Sequence, residues 1–538
     1  MRPLREVVAE LGIPETDLEP YGHHKAKLSL DLVARLRRAP RGKLVLVTGM
    51  TPTKHGEGKT TTTIGLAQAL CQRGSRAIAT LREPSLGPVF GLKGGATGGG
   101  ASEVLPRTDI NLHFTGDFHA VGAAANLLAT LVDAHLHHGN ALSIDATRVV
   151  WKRALDTNDR ALRHVVTGLG GSAHGPPRET GFVITAASEV MAILCLASGL
   201  DDLKRRLGEI VVAYRADDTP VLARDLRAQG AMAALLVDAL RPNLVQTTEG
   251  TPAVLHGGPF GNIAHGTNSL LADWAALGLA DYAVTEAGFG SDLGAEKFFH
   301  IACRAGGLWP SAVVIVATCR ALKMHGGLEA DGEDVAAVER GLLNLEHHVD
   351  VVRAFGFAPI VAVNRFATDT DAEVKAVLAA CVRWGVAACE ARPFQDGGKG
   401  CLALADLVEE APAPPAPRFL YELSDDVRSK IETIATRVYG AAGVEYDYQA
   451  LQSLRRIERM GLSGLPVCMA KTAMSVTDDP KRLGAPRGWM LTVRDVVPSA
   501  GAGFLVALAG DVMLMPGLGK SPAAQEIDVD ANGRIVGI

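Results

Sequence analysis

The chain has 538 residues, of which 47% are hydrophobic, 21% charged and only 5% aromatic, a balance that excludes disordered and fibrous classes. Its 54 basic and 59 acidic side chains leave a formal net charge of -5, so no global field draws it to nucleic acid or to an anionic membrane, and an anionic ligand must be held by a local site. The eight cysteines are scattered without a C-x-x-C pair, Met1 to Val7 lacks the apolar run of a signal peptide, and the apolar stretches fall short of the roughly 18 residues that span a bilayer. These features predict a soluble cytoplasmic protein, long enough for about three or four domain equivalents at roughly 150 residues each.

In chain order, Lys43 to Met50 reads as a β-branched strand, Thr60 to Gln72 as a helix and Arg76 to Leu81 as a second strand, together a βαβ unit. Further apolar runs recur at Phe182 to Ala186, Ile210 to Tyr214, Tyr282 to Thr285, Ala312 to Ala317 and Ile360 to Asn364, separated by helical patterns such as Ser188 to Ser198. This alternation predicts an α/β fold with a mainly parallel sheet flanked by helices. The one composition break is Ala411-Pro412-Ala413-Pro414-Pro415-Ala416-Pro417, a stiff crossing between lobes. Beyond it, Ser424 to Tyr439 reads as a helix, and the last 70 residues as short strands and turns closing in a hairpin around Asp528 to Gly533.

Gly56-Glu57-Gly58-Lys59-Thr60-Thr61 lies between a strand and a helix, the context of a nucleotide phosphate loop. The glycines let backbone N–H groups converge on phosphate oxygens, and the helix N-terminus adds its positive end. The motif assigns ATP binding to Thr53, Lys54, His55, Gly56, Glu57, Gly58, Lys59, Thr60 and Thr61. Lys59 would neutralise the β and γ phosphates, and the Thr60 hydroxyl would ligate Mg²⁺. The usual loop opens with glycine six residues before its lysine, where this chain has Thr53. A glycine-rich turn with a solvated lysine is the weaker reading, given the threonine run and the strand before it.

After the second strand come Arg82 and Glu83, then a glycine run from Gly91 to Gly100, then Asn111 to Asp117. Strand carboxyl ends face the ligand crevice of an open α/β sheet, so Arg82 and Glu83 are expected beside the phosphates. Arg82 suits bidentate binding of an acyl phosphate or a carboxylate, and equally suits a structural ion pair. The glycine run and Asn111 to Asp117 read as loops that line the substrate.

These residues resemble the formate-tetrahydrofolate ligase family. The resemblance is carried by Gly91 to Gly100, by Val316-Ala317-Thr318-Cys319-Arg320-Ala321-Leu322-Lys323-Met324-His325-Gly326-Gly327, by His256 to Gly266, by Ala287 to Phe299, by Asp478 to Lys481 and by Gly510 to Gly517. It covers the chain from about Tyr21 to Ile538.

The resemblance implies a P-loop NTPase-like fold in which formate attacks the γ-phosphate of ATP. Formyl phosphate would form, and its formyl group would pass to N10 of tetrahydrofolate in one-carbon metabolism. It implies that Lys59 and Arg82 are catalytic, that Mg²⁺ sits with the nucleotide, and that a monovalent cation such as K⁺ or NH₄⁺ activates. Glu83 and Asp117 are candidate ligands for that cation, or else partners to Arg82 or to backbone amides. The pterin would stack between Phe366, in Asn364-Arg365-Phe366, and Phe394, before Gly397-Gly398. A lone phenylalanine is ordinarily core, and the matching context is what assigns these two.

The chain departs from the family pattern at Lys54 for proline, Ala101 for tyrosine, Ala367 for proline, and Arg392 to Asp396 around the tryptophan position, which bears on folate affinity and pterin geometry. Further implications are a homotetramer and three domains, spanning 1–352, 353–435 with 511–538, and 436–510. Lys54 with the phosphate loop also resembles the deviant loop of partition and septum-site ATPases, which would make the chain a regulatory switch. A degenerate nucleotide-binding protein is the third alternative. Against the switch, such ATPases are about half this length and lack the segments above.

Overall fold

The computed structural model describes residues 1–93, 96–328, 332–510 and 512–538. Gly94 and Gly95 of the glycine run lie outside the described residues, as does Asp511, where the second domain was expected to resume.

Seven parallel strands form the middle of a large sheet, in the spatial order Pro252–Leu255, Ala77–Leu81, Tyr282–Glu286, Lys43–Gly49, Ala312–Ala317, Ile360–Asn364, Ala387–Ala391. An antiparallel margin completes it, in which Asn243–Thr247 pairs with Pro252–Leu255 and also with Ala26–Leu28 and Ser102–Leu105. The mixed α/β architecture with a mostly parallel sheet is therefore as expected.

Both faces of the sheet are covered, which is why its strands are nearly continuous apolar runs. Side chains alternate along a strand. Val45 and Val47 pack with Ile64, Leu66 and Leu70 of the helix Lys59–Gln72 and with Leu404 and Ala405 of the helix Leu402–Glu409. Leu44 and Leu46 join the opposite core, with the helices Leu270–Leu279 and Val335–Ala354. Truncating Leu46, fully buried there, costs roughly 2–5 kcal/mol.

Two of the expected runs stay outside this sheet. Phe182–Val183 forms a short parallel ladder with Arg153–Ala154, and the chain then turns through the single 3-10 turn Thr185–Ala187. Val211–Tyr214 pairs antiparallel with Pro220–Leu222. Both runs are apolar because helices bury them, and burial alone does not specify sheet partners.

The strands Ile360–Asn364 and Ala387–Ala391 extend the central sheet, so its hydrogen bonding runs unbroken across position 352. A second sheet of four strands, in the order Gly443–Tyr446, Met490–Ser499, Phe504–Ala509, Val467–Ala470, lies within 436–510. The end of the chain carries the expected hairpin, with Asp528–Val529 against Ile535–Val536. No helix among the described residues is long and apolar enough to cross a membrane.

Candidate active site

Because seven strands run parallel, their carboxyl ends share one edge, and each delivers a polar segment there. Gly49 leads into the phosphate loop, Leu81 into Arg82 and Glu83, Leu255 into His256, and Ala317 into Thr318 and Arg320. Glu286 ends its own strand, while Phe366 and Phe394 follow the last two. A cavity of about 500 Å³ opens at the other edge, lined among others by Arg37, Lys43, Trp274 and Trp309, away from these loops.

In the loop, Gly56 and Gly58 take positive φ of 77° and 71°. No side chain caps the first turn of Lys59–Gln72, a helix start suited to anion binding. The Lys59 stem crosses Gly49, where an added Cβ would lie 3.2 Å from its Cδ.

Glu57 faces inward. Its carboxylate accepts from Thr53 N at 2.5 Å and from the Thr318 hydroxyl, and Arg320 donates to the Gly56 carbonyl. Of the residues assigned to ATP, Glu57 and Thr53 therefore brace the loop, Thr61 is buried in the helix start, and Lys54 and His55 are exposed at the loop surface.

The Thr60 hydroxyl donates to Glu286 Oε2 at 2.7 Å, and Arg82 Nε lies 3.8 Å from Glu286 Oε1. Arg82 also donates from Nη1 to the Pro259 carbonyl at 3.3 Å. The structure thus brings Lys59, Thr60 and Arg82 to one edge and adds Glu286. That glutamate closes an apolar run just before Ala287-Gly288-Phe289-Gly290, and a lone acid at a strand's carboxyl end was the available signal.

Glu83 and Asp117 meet in a buried cluster. Asp117 accepts from Lys27 Nζ at 2.8 and 3.0 Å and from Asn243 Nδ2 at 2.8 Å. Glu83 accepts from Asn243 Nδ2 at 3.0 Å and from Gly257 N at 3.2 Å. Burial, reinforced by the Asp117 charge, pushes the Glu83 carboxyl well above its usual range. Lys27 supplies a positive charge to Asp117, and no lysine or arginine donates to Glu83 among the described residues. Nothing in Lys25-Ala26-Lys27-Leu28 signals a buried lysine; the strand pairing with Asn243–Thr247 takes it inside.

Phe366 and Phe394 follow neighbouring strands, joined where Arg365 N donates to the Ala391 carbonyl at 3.0 Å. The Arg320 guanidinium lies over the Phe366 ring, 4.7 Å from its centroid. Phe394 is 54% exposed, and Gly99 and Gly100 pack beside it. Ala101 N donates to the Phe394 carbonyl at 2.9 Å, and a Cβ on Gly100 would stand 2.1 Å from that oxygen, so glycine is required there.

Behind the loop, Asn344 donates to the Thr51 hydroxyl at 3.0 Å, and that hydroxyl lies 2.9 Å from His348 Nε2. The Ser291 hydroxyl donates to the His348 carbonyl at 3.1 Å, so His348 Nδ1 donates to that hydroxyl at 2.8 Å. Burial lowers the His348 pKa to about 3, which keeps the ring neutral, and with Nδ1 donating Nε2 accepts from the Thr51 hydroxyl. His325 accepts from Gly484 N and donates to the Thr51 carbonyl, each at 3.1 Å, with its pKa lowered by burial to about 4.

The formate–tetrahydrofolate ligase family model matches residues 1–538. The chain belongs to the formate–tetrahydrofolate ligase family. It is 56% identical to a formate–tetrahydrofolate ligase of Symbiobacterium thermophilum over 543 residues, covering 100% of this chain and 98% of that one. It is 54% identical to a formate–tetrahydrofolate ligase of Bacillus licheniformis, covering 100% and 97%. A formate–tetrahydrofolate ligase of a Nocardioides species is 56% identical, covering 100% and 98%. In this member of the formate–tetrahydrofolate ligase family, Glu57 and Asn364, 307 positions apart, are in direct contact.

Proposed function

We propose that this chain is an ATP-dependent formate–tetrahydrofolate ligase that works through formyl phosphate. The observation that carries the reading is the convergence of Lys59, Thr60, Arg82 and the Phe366 and Phe394 segments on one sheet edge.

A formate oxygen attacks the γ-phosphorus, and the bond to the β–γ bridging oxygen breaks to release ADP. N10 of tetrahydrofolate then attacks the formyl carbon; the carbon–oxygen bond breaks, phosphate leaves and the amine loses a proton. The work asked of the protein is positioning and charge neutralisation. Lys59 and the loop N–H groups hold the transferring phosphoryl, as in a P-loop NTPase. Arg82 holds the carboxylate and then the acyl phosphate. Phe366 and Phe394 grip the pterin by its faces.

The Thr60 hydroxyl beside the Glu286 carboxylate is an oxygen donor set that fits Mg²⁺, which would offset charge on the β and γ phosphates. No step is routed through a monovalent cation; activation by K⁺ or NH₄⁺ is proposed on the family resemblance alone. So are the homotetramer and the division at 352 and 435, while the proposed cytoplasmic location rests on the scattered cysteines and the N-terminal sequence.

The test is ADP release by the purified protein with Mg²⁺-ATP and K⁺, omitting formate or tetrahydrofolate in turn while following 10-formyltetrahydrofolate by absorbance. Product that requires all three substrates is expected. ATP hydrolysis indifferent to formate and folate would sink the ligase reading and favour a regulatory ATPase.

A further inference from the structure

We propose that Arg320 is a positioning residue for both halves of the reaction, bonding a peptide of the phosphate loop and covering one face of the Phe366 ring. This rests on the phosphate-loop and pterin readings above and deepens them.

The strand Ala312–Ala317 runs out at the sheet edge that carries the loop, and Thr318 then caps the helix Cys319–His325, its hydroxyl accepting from Ala321 N at 3.1 Å. The same hydroxyl donates to Glu57, which ties the start of this helix to the loop. From the second helical position, Arg320 Nη2 donates to the Gly56 carbonyl, 264 positions away, at 2.5 Å. In a trans peptide the C=O and the N–H point in opposite directions. Holding the Gly56 carbonyl therefore turns the Glu57 N–H away from Arg320. Asn364 does the same for the next peptide by donating to the Glu57 carbonyl at 3.0 Å. N–H groups set in place before phosphate arrives need no reordering when it binds.

The Arg320 guanidinium also lies over the Phe366 ring, 4.7 Å from its centroid. A guanidinium donates along its edges and packs against aromatic faces, so one group can make both contacts, which the point charge of a lysine cannot. Phe366 is fixed at its backbone as well, where its N–H donates to Asp369 Oδ2 at 2.8 Å. With Arg320 on one face, the opposite face of the ring is left for the pterin. The guanidinium is not consumed by an acid. Its nearest carboxylate among the described residues is Glu57, at 3.9 Å and already bonded to Thr53 N and the Thr318 hydroxyl. Arg320 Nε is buried without an acceptor, so the loop carbonyl and the ring are what hold the group.

The test is calorimetric binding of ADP and, separately, of tetrahydrofolate under argon to the full chain. Arg320→Gln is expected to weaken both by about tenfold, and Phe366→Leu to weaken tetrahydrofolate alone. Because Arg320 reaches the pterin only through Phe366, adding Arg320→Gln to Phe366→Leu should cost ADP affinity but no further tetrahydrofolate affinity. Arg320→Lys should recover part of the ADP affinity and little of the tetrahydrofolate affinity. Unchanged ADP affinity in Arg320→Gln, or tetrahydrofolate losses that add in the double variant, overturns the proposal. A wild type that binds no ADP overturns the phosphate-loop reading instead, and Phe366→Leu binding tetrahydrofolate like wild type overturns the pterin reading; the proposal falls with either. Independently of variant folding, wild-type crystals grown with ADP and tetrahydrofolate should show the pterin on the Phe366 face away from Arg320; a pterin on the Arg320 side overturns it.

Discussion

Asn364 donates from Nδ2 to the Glu57 carbonyl at 3.0 Å, so the segment expected to carry the pterin grips the phosphate loop by its backbone. The same nitrogen fills the space a Cβ on Gly58 would need, 2.3 Å away. One hydrogen bond is worth about 1 kcal/mol net. Asn364→Ala is therefore expected to raise KM for ATP and for tetrahydrofolate together, each by about 3- to 10-fold, in steady-state kinetics. A rise confined to ATP would show that Phe366 is positioned independently of the loop.

Lys59→Ala should abolish turnover while leaving the circular dichroism spectrum unchanged, because the side chain extends over Gly49 towards the loop and not into the core. Phe394→Ala should mainly raise the tetrahydrofolate requirement, since its exposed ring packs beside Gly99 and Gly100 and touches no residue of the phosphate loop in those contacts. Equal loss of kcat and of kcat/KM for folate in Phe394→Ala would contradict a simple stacking role.

Lys27→Met should unpair Asp117 inside the protein. Breaking a buried ion pair from one side costs roughly 3–5 kcal/mol, read as a lower urea midpoint. Adding Asp117→Asn should restore part of the loss. A Lys27→Met protein as stable as wild type would show that the cluster tolerates an uncompensated carboxylate.

Stability should fall as pH drops below neutrality. His348 and His325 have folded-state pKa values of about 3 and about 4, lowered by burial from 6.5. Their contribution is whole above about 6.5 and is lost as pH falls towards those values, at up to roughly 1.4 kcal/mol per unit per histidine. Asp292, Lys471 and His347 share this surrounding, and the Asp292 charge only partly opposes burial at His348. Urea midpoints between pH 7.5 and 5 should therefore decline, and the slope should flatten in His348→Gln.

The βαβ unit and phosphate loop were legible because each is local: an apolar run, two glycines, a lysine and a threonine helix within 30 residues. The central strands of the sheet were legible for the same reason. Asn243–Thr247 and Pro252–Leu255 were not, since the first is interrupted by Gln246 and the second opens on proline, and their strand character comes from pairing. The same holds for the site. Lys59 and Arg82 announced themselves and Glu286 left a weaker signal at its strand end, whereas Lys27 and Asn243 become functional candidates only through partners 90 and 126 positions away. The position of Glu57 under Thr318, bracing the loop from within, was likewise not visible in the motif.

The parallel arrangement sets the two rims of the sheet well apart. Lys43 begins the strand that Gly49 ends, so six steps of about 3.3 Å put the exposed amino edge roughly 20 Å from the loop. A surface tether or a fluorophore attached at Arg41, which is exposed there, would hold the molecule with its reactive mouth facing solution, a geometry suited to an immobilised formate sensor.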